Sequence, residues 1–208
     1  MFSHILVGME QNTSSWMYRD LLWWILIYTG GLLLTGRIAD DEIFKKKYCI
    51  LIRYGNYMKW WRYLFFKIVW RMLIYVFITW SVCNLKLILQ TEQFILPNNV
   101  KILSLFVLGA SWITVAVFQT VMMLLLRNSK ISFAFVMINM MISLWGSKQL
   151  GELSKWFPLN WGMIIRSDIY QIHGFSITRV LIIEIIILCL MYRFPIYLKP
   201  YITGGRIG

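Results

Sequence analysis

Histidine and cysteine are scarce in this chain of 208 residues. The two histidines, His4 and His173, are far apart in the sequence, which argues against a histidine-based metal site. The three cysteines, Cys49, Cys83 and Cys189, show no C-x-x-C spacing, and two of them lie in apolar runs. This pattern predicts small core residues, and it argues against a disulfide framework or a cysteine metal site.

Sequence motifs of nucleotide binding, hydrolysis and ion conduction are also missing. There is no G-x-x-x-x-G-K-[ST] loop for a nucleotide, and no H-E-x-x-H or G-x-S-x-G motif of a hydrolase. No arginine ladder of a voltage sensor and no TVGYG filter of a channel occurs. The sequence therefore predicts that the chain is not an enzyme, that it has no catalytic residue, and that it holds no metal or cofactor of its own.

Charged residues are few as well, at 14% of the chain, whereas 59% of the residues are hydrophobic and the mean hydropathy is +0.65. Soluble domains are nearer about half apolar and about a quarter charged. This composition predicts an all-α polytopic membrane protein. The length fits a single transmembrane domain that covers residues 1–208.

Five apolar runs predict about five transmembrane helices. They cover approximately residues 21–37, 68–89, 102–126, 131–148 and 177–194. The third run carries no charged residue over its whole length, which makes it the clearest of the five. Gly30 and Gly31 in the first run predict either the close approach of another helix or a kinked helix centre, and the sequence leaves both open.

A basic and aromatic stretch separates the first two apolar runs. Residues 45–72 carry eight cations and no acid, interleaved with tyrosine, tryptophan and phenylalanine. Such a mixture is typical of the membrane–water interface. The turn signal Gly55-Asn56 predicts a short interfacial helix, a bend, and then a helix that enters the bilayer. An orientation signal without any partner explains the same pattern, whereas RNA binding is disfavoured by the apolar runs that follow.

The distribution of Lys and Arg predicts the orientation of the chain. If the spans alternate, fourteen of the 21 Lys and Arg residues fall on the side of the basic stretch and seven on the other. This asymmetry predicts that the basic stretch is cytoplasmic, with the amino terminus outside and the carboxyl terminus inside.

Three polar residues interrupt the apolar runs and are candidates for a pathway through the bundle: Glu184, Gln119 and Asn139. A lone carboxylate such as Glu184 usually faces a partner or a cavity, because an isolated charge is costly in hydrocarbon. Its candidate partners are a substrate cation, a cation of another subunit, Gln119 or Asn139. A protonated Glu184 that is hydrogen-bonded within the bundle is the structural alternative.

The segment 149–176 is too long for a tight turn and too apolar for a solvated loop. We expect a re-entrant helical hairpin on the outer side, broken near Pro158, with Asn160 as a helix cap. Trp161 is expected at the outer interface. A helix lying flat on the outer leaflet and a simple loop are the alternatives. The predicted outer gate consists of Phe157, Pro158, Asn160, Trp161 and Met163.

Two stretches of the chain resemble a known family. Residues 51–61, LIRYGNYMKWW, preceded by DEIFKKK at 41–47, are similar to the cytoplasmic coupling segment of small bacterial type-2 ABC transporter permeases. These are subunits of bacteriocin, lantibiotic and other peptide export or immunity systems. Residues 157–166, FPLNWGMIIR, resemble the re-entrant outer region before the final helix of such permeases. That family usually has six helices and an inside amino terminus, and its first helix has no counterpart here.

The resemblance implies a permease subunit in the bacterial cytoplasmic membrane that moves a peptide or another amphipathic substrate. ATP and Mg²⁺ would bind a separate ABC ATPase, and a second permease subunit would complete a homo- or heterodimer, with no role for nucleic acid. The cytoplasmic segment 45–62 would act as a coupling helix on the ATPase. The implied coupling residues are Arg53, Tyr54, Gly55, Tyr57, Lys59 and Trp60. The alternative is a stand-alone membrane immunity or assembly protein without transport activity.

Overall fold

The computed structural model describes residues 18–45, 56–89, 98–149, 160–163, 167–169 and 174–197. The described part is almost entirely helical and contains no β-strand. Its helices are α1 (Tyr18–Asp40), α2 (Tyr57–Leu89), α3 (Asn98–Leu126), α4 (Ser129–Gln149) and α5 (Ile177–Tyr197), and a π-helical turn (Asp41–Lys45) extends α1. Each of the five predicted apolar runs thus coincides with a helix.

Asparagine side chains define the beginnings of α2 and α4. The side-chain oxygen of Asn56 accepts a hydrogen bond from the Met58 amide at 2.9 Å, directly before α2. Asn128 accepts from the amides of Lys130 and Ile131 at 3.0 and 3.1 Å. Both satisfy amides that the first helical turn leaves unpaired. The turn between α3 and α4 is short because Arg127 adopts a left-handed conformation with a φ of 52°.

Helix α3 is the central element of the fold, because α1, α2, α4 and α5 all contact it. Most of its apolar segment, Ile102–Leu126, is buried. Helix α2 also packs against α1, where the Tyr75 hydroxyl donates a 2.7 Å hydrogen bond to the Ile27 carbonyl. A Cβ atom on Gly31 would lie 2.9 Å from the Tyr75 ring, so only glycine permits this approach. Of the two interpretations of Gly30-Gly31, close helix packing is confirmed.

Helices α2 and α5 each present an apolar face to the surroundings. On α2, Phe66, Trp70 and Phe77 are 62%, 64% and 58% exposed. On α5, Ile185 and Leu190 are 60% and 64% exposed. Soluble monomers rarely expose contiguous apolar surface of this kind, so these faces require an apolar environment or a partner.

Two helices of the described part are long and apolar enough to cross a membrane. Tyr57–Leu85 has a mean hydropathy of 1.6 over its most apolar window, and Ile102–Leu126 has 2.0. Ser129–Ser143 is apolar but shorter.

Only part of segment 149–176 is described, so the two helices of the predicted re-entrant hairpin stay a prediction. Residues 160–163 make one turn, and Ser167 forms an isolated parallel β-bridge with Phe175. The remaining residues of the predicted re-entrant hairpin lie outside the described part. The prediction for the cysteines is right for Cys83, which is buried, and wrong for Cys189, which is exposed on α5.

Candidate functional site

Glu184 lies on the buried face of α5 and is only 1% exposed. Ile177 and Val180 are buried on the same face, and Ile185 and Ile186 are more than half exposed on the opposite one. The spacing of three and four residues between Ile177, Val180 and Glu184 places all three along one stripe of the helix. One carboxylate oxygen of Glu184, Oε2, is buried and has no hydrogen-bond partner in the described part of the chain.

Two hydroxyl groups from other helices accompany this carboxylate. Tyr28 of α1 lies within electrostatic range of Glu184, and its hydroxyl lies beside the hydroxyl of Ser111 on α3. Tyr28 is fully buried, and Ser111 is 1% exposed. The two hydroxyls are neighbours, but neither reaches hydrogen-bond geometry with a described partner. Tyr28 and Ser111 are thus neighbours inside the bundle, and Glu184 of α5 lies within electrostatic range of Tyr28.

Two tryptophans pack around Tyr28. Trp24 stacks on it with 5.0 Å between ring centroids, and Trp112 meets it edge-on at the same distance. The indole nitrogens of both tryptophans are buried and have no hydrogen-bond acceptor among the described residues. Trp24, Tyr28, Ser111, Trp112 and Glu184 are called the Glu184 cluster below.

The Glu184 cluster has an unusual number of unused hydrogen-bonding groups for a protein interior. Buried polar atoms are nearly always paired, because an unpaired one costs about 1–3 kcal/mol. Two buried indoles flank Tyr28, the hydroxyls of Tyr28 and Ser111 lie beside each other and can donate or accept, and the carboxylate of Glu184 can accept. Such a set can bind a cationic or hydrogen-bonding group, and the carboxylate can take up a proton.

The outer segment reaches the Glu184 cluster through the turn at residues 160–163. A Cβ atom on Gly162 would lie 3.1 Å from the Ser111 hydroxyl oxygen, so the turn passes directly over Ser111. The Met163 amide donates to the Asn160 carbonyl at 3.0 Å, and Asn160 and Met163 are fully buried. Trp161 is 5% exposed, so its ring packs inside the protein, and its expected place at the level of the outer interface stays a prediction. Phe157 and Pro158 lie outside the described residues.

A second close contact fixes the chain before α5. The Asp168 amide donates to the Phe175 carbonyl at 2.9 Å. A Cβ atom on Gly174 would overlap the carbonyl group of Ser167 and lie 2.6 Å from the Asp168 nitrogen. Only glycine fits between these backbone atoms, so Gly174 sets the entry of the chain into α5.

Gln119 and Asn139, the other two predicted pathway residues, are not hydrogen-bonded to Glu184. Gln119 is 2% exposed on α3, about 12 Å along the helix from Ser111 at 1.5 Å per residue. It lies beside Gly36 of α1 and lines a separate cavity. Asn139 donates a 2.8 Å hydrogen bond to the Phe135 carbonyl of its own helix. The structure therefore does not unite the three predicted pathway residues.

The predicted coupling residues divide into two groups. Arg53, Tyr54 and Gly55 lie outside the described part. Tyr57 and Trp60 are 4% and 1% exposed in the core, whereas Lys59 between them is exposed. The neighbouring Trp61 donates its indole N–H to the Tyr192 carbonyl of α5 at 2.8 Å. Residues 57–62 thus form the first turns of α2, and their aromatic side chains hold that helix in the bundle.

A buried ion pair near the same end of α2 was not identified from the sequence. Lys67 lies 2.6 Å from a carboxylate oxygen of Glu42, which is 3% exposed in the π-helical turn. The Lys67 ammonium also contacts the Tyr63 hydroxyl at 3.1 Å and lies over its ring. This pair joins the end of α1 to α2.

The partners of Glu184 were also missed. Tyr28 and Ser111 are ordinary residues in apolar runs, and only the rotation of α1 and α3 about their axes buries them beside each other. One signal was present in the sequence: Trp24 and Tyr28 are four residues apart, and this spacing places two aromatic polar groups on one helix face.

No group of three His, Cys, Asp or Glu side chains in the described part is placed to hold a metal ion. A comparison with family models, curated proteins and solved structures finds no match to this chain. The site is therefore characterised by its geometry alone: a buried carboxylate on α5, and the neighbouring hydroxyls of Tyr28 and Ser111, with Ser111 against the turn at 160–163.

Proposed function

We propose that this chain is the membrane-spanning permease subunit of an ABC transporter. In this proposal it moves a peptide or another amphipathic substrate across the bacterial cytoplasmic membrane, and a separate subunit hydrolyses ATP. The five helices are its spans, with the basic stretch on the cytoplasmic side.

The observation that carries the proposal is the Glu184 cluster. A protein that only resides in a membrane has no need of a buried carboxylate, because an intramembrane acid is costly unless it has a use. Polar groups inside membrane bundles usually face substrates, ions or protons. The buried polar groups of Tyr28, Ser111 and Glu184 fit this role, and the turn at 160–163 covers Ser111 as an outer gate would.

The apolar faces of α2 and α5 support a location within a bilayer. Phe77 on α2 and Ile186 on α5 belong to surfaces that hydrocarbon solvates better than water does. A surface helix of a soluble protein has a polar face towards water. Both the packed and the exposed faces of α2 are apolar along most of its length.

Coupling to an ATPase requires a cytoplasmic element that is rigidly connected to the bundle. Tyr57 and Trp60 anchor the beginning of α2 in the core, and Lys59 and Arg62 point outwards from the same turns. A force on the basic stretch would therefore act directly on α2. This supports the assignment of Arg53, Tyr54, Gly55, Tyr57, Lys59 and Trp60 to coupling, the aromatic pair as anchors and the cations as contacts.

The proposal is tested by purifying the tagged chain from its native membranes. We expect a second protein with a G-x-x-x-x-G-K-[ST] motif to co-purify, together with ATP hydrolysis. The double variant Arg53→Glu/Gly55→Pro should lose this ATPase while still inserting into the membrane. Arg179→Glu, which reverses an exposed cation at the other end of the bundle, is the matched control and should retain it. Unchanged ATPase association in the double variant contradicts the coupling role.

One observation favours the alternative, a stand-alone immunity or assembly protein. Tyr57, Trp60 and Trp61 are used within the chain's own core, which leaves fewer aromatic side chains for a partner. In that case, the chain purifies without an ATPase, and expression of the chain alone protects cells against the peptide. Protection that requires an intact ATPase subunit supports the permease instead.

A further inference from the structure

A cavity of about 340 Å³ lies between α1, α3 and α4, away from the Glu184 cluster. The connection between α3 and α4 lies at this end of the bundle, which the charge distribution predicts to be cytoplasmic. The volume is at the lower end of the range for ligand sites, about 300–1,000 Å³. The cavity is lined by Leu33, Gly36, Arg37, Asp40, Gln119, Met123, Ser129, Lys130 and Phe133.

The charged groups of the cavity give it a net positive charge. Arg37 and Lys130 come from two different helices, and Asp40 is the one acid among the lining residues. No ion pair joins Asp40 to either cation in the described part of the chain. Two cations and one acid leave a formal charge of one positive unit, which matches a single negative charge on a ligand.

Gln119 supplies an independent sign that the cavity has an occupant. Its side chain is 2% exposed and lines the cavity, and its carbonyl oxygen Oε1 has no hydrogen-bond donor among the described residues. A buried acceptor without a donor is costly, so a ligand that brings a hydroxyl group would be favoured here. The amides of Lys130 and Ile131 at the beginning of α4 are not free to donate to a ligand, because Asn128 already accepts from both.

The chemistry of an occupant follows from these groups. Arg37 and Lys130 donate hydrogen bonds and charge to an anion, and phosphate oxygens are suited to both. Gln119 and Asp40 accept hydrogen bonds, which hydroxyl groups can provide. Leu33 and Phe133 border the same cavity with apolar surface. These features together describe a phosphodiester with hydroxyl groups on one side and an apolar chain on the other.

We propose that this cavity binds the headgroup of an anionic phospholipid of the phosphatidylglycerol type. Arg37 and Lys130 hold the phosphate, and Gln119 and Asp40 accept hydrogen bonds from the glycerol hydroxyls. The acyl chains leave the cavity past Leu33, which is 55% exposed. A zwitterionic lipid fits less well, because its additional cation would meet a cavity that is already positive. This proposal requires the bilayer location of α1, α3 and α4, but it does not require an ATPase partner.

The test is binding of short-chain lipids to the full chain in a neutral detergent. Titration calorimetry compares dioctanoyl phosphatidylglycerol, phosphatidylmethanol, which lacks the glycerol hydroxyls, phosphatidylcholine and inorganic phosphate. The variants are Arg37→Gln/Lys130→Gln, which removes both cations, and Gln119→Leu. The control is Arg62→Gln/Arg71→Gln, which removes two exposed cations of α2 outside the cavity. Circular dichroism establishes that each variant is folded.

We expect phosphatidylglycerol to bind the wild-type chain at least about tenfold more tightly than phosphatidylcholine, since each cation near a lipid surface contributes measurably to anion binding. The Arg37/Lys130 double variant should lose this preference, and the Arg62/Arg71 control should keep it. Gln119→Leu should reduce the preference for phosphatidylglycerol over phosphatidylmethanol, because one of the two acceptors for the glycerol hydroxyls is gone and only Asp40 remains.

Three results would overturn the assignment. The first is equal binding of phosphatidylglycerol and phosphatidylcholine by the wild-type chain. The second is an equal loss in the cavity variant and in the Arg62/Arg71 control, which would reveal attraction by the general positive charge. The third is saturation by inorganic phosphate at the same concentration as the lipid, which would identify a soluble phosphate as the ligand.

Discussion

The carboxylate of Glu184 is the most consequential single group of the described chain. It is 1% exposed, and its Oε2 atom has no hydrogen-bond partner among the described residues. Replacement by glutamine keeps the shape of the side chain and removes the need to bury a charge. We therefore expect Glu184→Gln to unfold at the wild-type temperature or above it, with a gain of at most about 1 kcal/mol.

The same variant should lose transport, because an amide can neither attract a cation nor take up a proton. Thermal unfolding in detergent and export of the substrate from intact cells measure the two properties separately. Ser111→Ala is a useful companion, since it removes a neighbouring hydroxyl and leaves the carboxylate in place. Full export by Glu184→Gln would show that the charge has no essential role.

Gly174 allows a second prediction about a single residue. Its backbone lies against the backbone of Ser167 and Asp168, which have no freedom to move as a flexible side chain would. Gly174→Ala should therefore break the bridge between Ser167 and Phe175 and destabilise the fold by roughly 2–3 kcal/mol.

Gly109 provides the matched control for Gly174. The nearest atom to a Cβ at Gly109 is Cγ1 of Val76 at 3.7 Å, which is an ordinary van der Waals distance. Alanine is a better helix former than glycine by about 1 kcal/mol, so Gly109→Ala should be neutral or slightly stabilising. Thermal unfolding of both variants measures the difference. Equal effects at the two positions would contradict the close backbone contact at Gly174.

At the scale of elements, the ion pair between Glu42 and Lys67 determines how α1 and its π-helical turn are held against α2. Lys67→Met leaves the carboxylate of Glu42 buried without its cation, which should destabilise the chain by on the order of 2 kcal/mol. Adding Glu42→Gln should recover most of the loss, because the buried charge is then removed. The measurement is a double-mutant cycle in thermal or denaturant unfolding.

The exposed pair of Lys45 and Asp41 is the control for this cycle. Its atoms are 2.7 Å apart, but both side chains are accessible, at 68% and 36%. Such surface pairs contribute little to stability, so Lys45→Gln should leave the unfolding transition unchanged. A loss in Lys45→Gln as large as that in Lys67→Met would show that burial of Glu42 is not the cause.

The helices themselves were predictable from the sequence, but their ends and partners were only partly so. The uncharged run of α3 predicted residues 102–126, and the helix is Asn98–Leu126. Helix α2 begins at Tyr57, directly after Asn56 of the predicted Gly55-Asn56 bend, and thus eleven residues before the apolar span predicted at 68–89. The cations Lys59 and Arg62 suggested an interfacial segment, yet they lie off the buried stripe of Tyr57, Trp60 and Trp61, so one continuous helix accommodates both.

The candidate site shows a similar division. Hydropathy alone singled out Glu184, because a lone acid in an aliphatic run must be turned inwards. The identity of its neighbours depends on how α1, α3 and α5 are rotated and shifted relative to one another. No local pattern encodes that arrangement, so the sequence singles out neither Tyr28 nor Ser111, and it does not predict that Gln119 lies beside Gly36.

For the molecule as a whole, orientation in the bilayer is the property that the remaining proposals share. The cytoplasmic basic stretch, the outer gate and the lipid cavity all require that Lys59 and Arg127 lie on one side and Asp168 on the other. All three residues are exposed, so each can be replaced by cysteine without disturbing the core. The native cysteines are first replaced by serine or alanine.

In intact cells, a membrane-impermeant maleimide should label Asp168→Cys and should not label Lys59→Cys or Arg127→Cys. Lys59→Cys and Arg127→Cys should react only after the membrane is permeabilised. In the proposed arrangement these two residues lie at the cytoplasmic ends of α2 and α3. Phe77→Cys, in the middle of an exposed apolar face, should resist the reagent in both conditions because lipid surrounds it. The inverse labelling of Asp168 and Arg127 would reverse the orientation, and with it the assignment of coupling and gate. Free labelling of Phe77→Cys in intact cells would mean that water reaches this face, and the bilayer location of α2 would have to be abandoned.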